Sequence, residues 1–481
     1  MTPTKEQQAV VDAKSDSLKM IAYAGTGKTA TFVAWANAHQ DRSLYLAFNK
    51  SVEQEAKQRF PSHVLAKTTH ALAYAAIIGG SGKYTLGKLS IFKTARMYRL
   101  DYYMASLIHK TIENFCNSAD FEMGKVHVAP DSIGRYQHDI TEVVLDFAKK
   151  VWAIILDGKN PDFPMTHSGY LKLYQLSQPV LKYSTIMLDE AQDTNPVTQD
   201  IVLRQVAHGA RVFLAGDPYQ QIYAWRGAVD ALQKVNADPY YLTQSFRFGP
   251  EVAGVANTIL STFFGEERPL VGLGPAGEIL NGNPTMTPPF TYLSRTNAHL
   301  FAQACVMAGK LKIFTPSGVF GTLPMFDDVM NVYNLYRGMK NEIRDPELKH
   351  FQDYWELLEF VKTGNADPNY NVAVAVVEKY KDGVPVQIEN IKRSLVPTPD
   401  QAQVTLITAH RAKGLEWDNV ILCNDFCPLF EEESGKLKSI GPNRKTHVPA
   451  DEVNLLYVAA TRAKKRLKPN ADLEQLIKIR S

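Results

Sequence analysis

The chain has 481 residues, 45% hydrophobic and 21% charged, a length that suggests about three domains at ~150 residues each. Glycine (29) and proline (26) stand near ordinary usage, which excludes a collagen-like or disordered chain. Lysine plus arginine (53) nearly balance aspartate plus glutamate (50), so any charged binding surface has to be local. The four cysteines, Cys116, Cys305, Cys423 and Cys427, are too few and too scattered for a disulfide framework and read as reduced thiols. No apolar run approaches ~18 residues, and the start, MTPTKEQQAVV, has no apolar signal region. A soluble, intracellular protein without a membrane partner is expected.

In chain order, short β-rich runs alternate with helical patterns. KMIAYA (19–24) and SLYLAF (43–48) come first, and a largely helical stretch follows from 49 to 184. TIMLDE (185–190) and VFLAGD (212–217) complete a first cluster of strands. TYLSRT (291–296), a helical stretch from about 325 to 400, VTLITAH (404–410) and DNVILCND (418–425) make a second. Continuous apolar strands alternating with helices predict parallel α/β sheets covered on both faces. Two clusters predict two sheets, and the helical stretches predict an insertion into each.

Residues 22–29, AYAGTGKT, lie between a β-run and the helical pattern ATFVAWANAH, the setting of a phosphate-binding loop. Gly25 and Gly27 let the backbone around Ala24 and Thr26 turn its N–H groups inward, and the following helix points its N-terminus at the same anion. Lys28 is expected to reach the β- and γ-phosphates of a nucleotide, and the Thr29 hydroxyl to bind Mg²⁺. Ala22 stands where the loop pattern usually has its first glycine. Farther on, LDEAQD (188–193) ends a strand with paired carboxylates. Asp189 is expected to hold Mg²⁺ through water and Glu190 to polarise the attacking water, a division suited to metal-assisted phosphoryl transfer.

With those motifs placed, further strings follow in the order of the UvrD/Rep-type superfamily 1 helicases, which the chain resembles from about residue 4 to about 467. TKEQQAVV carries Gln7 at the place of that family's adenine-reading glutamine. LAFNKSVEQEA (46–56) resembles motif Ia, KTTHALAY (67–74) motif Ib, GDPYQQIYAWRGA (216–228) motif III and YLTQSFRF (241–248) motif IV; LSRTNA (293–298) resembles the motif after it. TAHRAKGLEWDNVIL (408–422) resembles motif V, and EVNLLYVAATRAKKR (452–466) motif VI. AYAGTGKT, FNKS, MTHSGYLKLYQLS (165–177) and YLTQSFRFG are similar to the helicase portion of the F-box DNA helicase family. Because the motor motifs begin at once, no F-box is expected ahead of them. With 19 residues after Arg462, no appended nuclease domain is expected either.

The resemblance implies two RecA-like P-loop domains with ATP between them, each carrying a mainly helical insertion. Residues 1–75 and 166–245 would form the first motor domain, with 76–165 its insertion. Residues 246–303 and 402–481 would form the second, with a reduced insertion at 304–401. Gln7 and Phe246 would recognise adenine, Phe246 standing where many relatives have tyrosine. Ala30 stands where many have arginine. Gln220 would sense the γ-phosphate, Arg247 and Arg462 match the arginine fingers, and Glu416 matches the motif V carboxylate near the ribose. Phe48, Asn49, Thr68, His70, Tyr223, Trp225, Arg226 and His410 match nucleic-acid-facing positions; Phe48 is shifted by one place, AFNK against the relatives' FTNK.

The implied activity is an ATP- and Mg²⁺-dependent 3′-to-5′ DNA helicase or translocase on single-stranded DNA and single/double-strand junctions, working as a monomer in repair, recombination or replication. A recombinase or a single-strand binding protein are candidate partners. Two alternatives stand beside it: a translocase that strips proteins from DNA and unwinds poorly, and a nucleotide-switched nucleic-acid-binding subunit. Residues 81–110 carry six basic residues against Asp101, with Tyr84, Phe92, Tyr98, Tyr102 and Tyr103 interleaved. They read equally as a nucleic-acid-contacting insertion or as a solvated helix face with aromatics packed beneath.

Overall fold

The computed structural model describes every residue except 1–2, 132–133, 224–226, 228–229, 235, 238, 283, 317–323, 365, 442 and 481. Two six-stranded parallel sheets carry the architecture. In the first, β1 (Ser17–Ala22), β2 (Ser43–Ala47), β3 (Val64–Thr68), β4 (Thr185–Leu188), β5 (Arg211–Gly216) and β6 (Pro239–Leu242) stand in the order β3-β2-β4-β5-β1-β6. Strands β2 and β4 are buried along their whole length, as strands covered on both faces must be. The second sheet runs Ile313–Phe314, Val404–Thr408, Phe290–Ser294, Trp417–Leu422, Ala463–Lys468, Glu278–Ile279, again all parallel. This is the α/β class that the alternating pattern predicts. The four thiols are free, and among the described residues no helix is long and apolar enough to cross a membrane.

The structure corrects several element boundaries. Strand β1 ends at Ala22, two residues earlier than KMIAYA suggests, because Tyr23 and Ala24 already belong to the turn. Strand β3 lies inside the stretch read as helical; its VLAKT has only Val64 and Ala66 buried. Strand β6, PYYL, buries only Leu242, and Ala463–Lys468, AKKRLK, is mostly charged. Strands β3 and β6 are sheet edges, and AKKRLK pairs with a two-residue edge strand. At such places one flank faces solvent, so the apolar run that marks a buried strand is not required.

Between β3 and β4 the chain is helical, as the pattern predicts. Tyr102–Asn117 packs Leu107, Ile108, Ile112 and Phe115 against Val144, Ala148, Val151 and Trp152 of the helix Thr141–Asp157. Between Phe314 and Val404, further helices among the described residues enclose their own core around Val329, Val332, Phe360 and Val377. Within the basic–aromatic segment some rings pack inward. Phe92 and Tyr103 are buried, while Lys93 sits in an outward ion pair with Asp162 at 2.7 Å. Phe92 crosses to the other insertion, stacking on His350 at 4.7 Å and meeting Phe351 edge-on at 5.2 Å.

Phe92→Ala should therefore lower the unfolding free energy by about 3 kcal/mol, the lower end for a buried Phe→Ala change. Urea denaturation measures it; a loss below ~0.5 kcal/mol, typical of a surface substitution, would show that the two insertions do not share this ring.

Candidate nucleotide and nucleic-acid site

The site grows from the carboxyl ends of the first sheet's strands, the edge at which open α/β sheets bind ligands. Strand β1 delivers the glycine loop, β2 Phe48, β3 Thr68, β4 Asp189 and Glu190, β5 Asp217, and β6 leads to Phe246 and Arg247. In the loop, Gly25 and Gly27 have φ of 76° and 86°, the left-handed region that glycine occupies without strain. Space demands glycine as well: a Cβ on Gly25 would lie 2.5 Å from Ser245 Oγ and 2.7 Å from Arg247 Cβ. No side chain caps the following helix, Lys28–Ala38, so its first-turn N–H groups remain available to an anion. A triphosphate fits this cradle.

Lys28 Nζ lies 3.2 Å from Glu190 Oε1. The Tyr45 phenol donates to Asp189 and also touches the Thr29 hydroxyl, so the two side chains expected to hold Mg²⁺ share one neighbour. Glu190 takes a left-handed conformation, φ 50° and ψ 43°, a strained geometry for a non-glycine residue and one that clusters at functional sites. Burial alone would raise the pKa of both carboxyls. Lys28 and Lys413 overcome it at Glu190 and hold that carboxyl well below its usual range. Asp189, beside Glu190, is pushed up by burial and by that charge.

Lys413 is a residue that the motifs did not single out. It arrives from the second sheet, after Val404–Thr408, and is almost buried. Its ammonium pairs with Asp193, lies 3.5 Å from Glu190 Oε2, and donates to the Gln220 carbonyl at 2.7 Å. Burial pushes the Asp193 carboxyl up to about 6 although Lys413 opposes the shift.

Arg462, only 1% exposed, donates to Gln220 Oε1 at 3.4 Å and to the Val458 carbonyl at 2.8 Å. Burial and the charge of Arg247 bring its pKa down to about 9. Arg247 donates from Nε to Glu416 at 2.7 Å and from Nη1 to the Thr461 carbonyl at 3.1 Å. Both arginines thus already stand in the cleft between the sheets. Phe246, partly exposed, donates its N–H to the Gly25 carbonyl at 3.0 Å. Gln7 flanks the same loop, donating to the Thr26 carbonyl at 3.2 Å and accepting from Thr4 N at 3.0 Å. Its amide is therefore engaged at both ends.

A cavity of about 490 Å³ collects Phe48, Asn49, Thr68, His70 and Tyr223. The Phe48 ring, 41% exposed, stacks on Tyr223 with centroids 5.8 Å apart and planes 21° apart. The Tyr223 hydroxyl donates to the His410 carbonyl at 3.0 Å, which ties this wall to the second sheet. Asn49 and Thr68 are also helix N-caps, accepting from Val52 N at 2.9 Å and Ala71 N at 3.1 Å. Asn117 and Asn195, hydrogen-bonded to each other at 3.1 Å, line the cavity without having been marked by any motif. Trp225 and Arg226 lie outside the described residues.

Comparison with known proteins bears on this geometry. Residues 175–238 match the UvrD/REP helicase N-terminal domain, and residues 385–468 the UvrD-like helicase C-terminal domain. F-box DNA helicase 1 of Gallus gallus is 35% identical over 98% of this chain and 49% of its own length. The chain thus matches both the N- and the C-terminal family models of the UvrD-like helicases. F-box DNA helicase protein 1 of Schizosaccharomyces pombe is 32% identical over 98% of this chain and 58% of its own length. ATP-dependent DNA helicase PcrA of Bacillus subtilis is 23% identical over 53% of the chain and 39% of its own. The chain spans about half the length of the curated relatives it matches.

The raised Asp193 pKa fixes the sign of a pH effect. Between about pH 4 and 6 the folded protein keeps a proton that the unfolded chain releases, so this group's contribution to stability falls as pH rises through that window. Relative to Asp193→Asn, the wild type should lose on the order of 2 kcal/mol of unfolding free energy between pH 4 and pH 7. Denaturation curves at several pH values measure the difference; a difference that stays constant would return Asp193 to an ordinary carboxyl.

Proposed function

We propose that this chain is an ATP-dependent DNA helicase or translocase moving 3′ to 5′ on single-stranded DNA. The observation that carries the reading is the bond between Arg462 and Gln220 across the cleft, which sets a guanidinium from one sheet beside the glycine loop and acidic pair of the other. Residues 1–75 and 166–245 act as one motor domain and 246–303 with 402–481 as the second, with 76–165 and 304–401 as their insertions. DNA as the track is supported by the relatives, which are named DNA helicases.

In this reading Lys28 and the N–H groups of the loop bind the phosphates, and Gln7 and Phe246 hold the adenine from either side of the loop. Thr29 and Asp189 would hold Mg²⁺, which neutralises phosphate charge. Glu190 polarises the attacking water. Gln220, Arg247 and Arg462 stabilise the charge that develops on the γ-phosphate, and Glu416 orients Arg247 beside the ribose.

Phe48 and Tyr223 take a base of the DNA strand between them, with Asn49, Thr68, His70, His410, Trp225 and Arg226 along its path. A base stacked on both faces needs roughly 6.8 Å between rings, twice the ~3.4 Å spacing of stacked bases. Because Phe48 and Tyr223 now stack on each other, with centroids 5.8 Å apart, the two rings have to part to admit a base. Such a motor serves processes that expose single strands, namely repair, recombination or replication, where a recombinase or a single-strand binding protein shares the substrate.

Glu190→Gln should bind ATP yet lower oligonucleotide-stimulated hydrolysis by roughly 10²–10⁴, the contribution of a positioned base. Steady-state ATPase near the wild-type rate would remove Glu190 from that role. Phe48→Ala should weaken binding of a single-stranded oligonucleotide at one fixed salt concentration by roughly 5- to 150-fold, as loss of one base–aromatic stack does. Unchanged affinity in fluorescence anisotropy would place the strand elsewhere.

A further inference from the structure

The helix Ala450–Ala460 carries a buried phenol for which the active-site chemistry above has no use. Tyr457 is 0% exposed, and its hydroxyl makes two bonds into the first sheet's domain. It accepts the Ala24 N–H at 3.2 Å and donates to Asp217 Oδ2 at 3.2 Å. Ala24 belongs to the glycine loop, and Asp217 follows β5. The same Asp217 Oδ2 accepts Gln220 Nε2 at 2.7 Å, and Oδ1 accepts the Tyr219 N–H at 3.1 Å. Gln220 Oε1 accepts from Arg462, five residues beyond Tyr457. A ring of bonds therefore leaves the helix at Tyr457, passes through Asp217 and Gln220, and returns at Arg462.

We propose that Tyr457 is a positioning residue that clasps the second motor domain to the glycine loop and, through Asp217, orients the Gln220 amide toward the γ-phosphate. The inference rests on the motor reading given above. Its physical basis is the cost of leaving buried polar groups unmatched. With the clasp made, the Ala24 N–H and the Asp217 carboxylate are both satisfied in a site closed to water. Burial also drives the phenol's pKa well above its ordinary value, so it remains a neutral donor at any working pH. The amide of Gln220 has its nitrogen held by Asp217 and its oxygen by Arg462, which fixes which end faces the glycine loop. Only when the two domains meet in this arrangement are all three held together, so Tyr457 links domain closure to the geometry of Gln220.

Tyr457→Phe keeps the ring and its packing and removes only the hydroxyl. At saturating single-stranded oligonucleotide, kcat for ATP should fall about 5- to 30-fold, the range for one broken buried hydrogen bond, with KM for ATP changing far less. Thermal melting in parallel gives the folded fraction. Asp217→Asn supplies an independent arm: combined with Tyr457→Phe, the loss should be smaller than the product of the single losses, because both act through Gln220. The clasp is overturned by a Tyr457→Phe kcat within twofold of wild type, by kcat and KM moving by the same factor, by a loss that the unfolded fraction explains, or by multiplicative losses in the double variant. A wild type without oligonucleotide-stimulated ATPase would instead overturn the motor reading itself.

Discussion

The arrangement depends on the neutralisation of one partly buried carboxylate, Glu190, from two directions. A charge taken out of water is costly unless a partner of opposite sign stands within a few ångströms. Lys28 supplies one partner from the glycine loop and Lys413 another from the opposite sheet. Because the second partner belongs to the other half of the molecule, the electrostatics of the acidic pair are complete only with the halves in contact. The Arg247–Glu416 pair, the Arg462–Gln220 bond and the Tyr457 hydroxyl gather around that same seam. The cleft is thus a surface of mutual charge satisfaction rather than a gap.

That seam also reaches the nucleic-acid-facing side. Lys413, which neutralises Glu190, lies 5.8 Å from the centre of the Tyr223 ring, and Tyr223 is bonded to the His410 carbonyl on the same short helix. The four-residue helix Ala409–Ala412 and the Lys413 that ends it therefore border both the stacked aromatic wall and the acidic pair. Packed interiors transmit small displacements because they have little free volume to absorb them. A shift of the Tyr223 ring would be felt at the Lys413 ammonium beside the acidic pair.

The chemistry that was legible in the sequence is the chemistry whose parts lie close together along the chain. The glycine loop, with Lys28 and Thr29, fits within eight residues, and each residue type there answers to a stated backbone or phosphate requirement. Asn49 and Thr68, read from the motifs only as nucleic-acid-facing, also cap helices in the fold. Strands buried on both faces announced themselves by continuous apolar runs, whereas β3, β6 and Ala463–Lys468 did not, since an edge tolerates charge. Lys413 and Tyr457 were illegible for a different reason. Nothing in AKG or LLYVAA distinguishes a surface lysine or a core tyrosine from one that meets a carboxylate in the other half of the molecule. Such roles exist only after two distant segments are brought together.

The contact of Phe92 with His350 and Phe351 joins the two insertions at a point far along the chain from the seam. Any rearrangement of the two sheets about the cleft therefore has to carry this ring along with both helical stretches or separate it from His350 and Phe351.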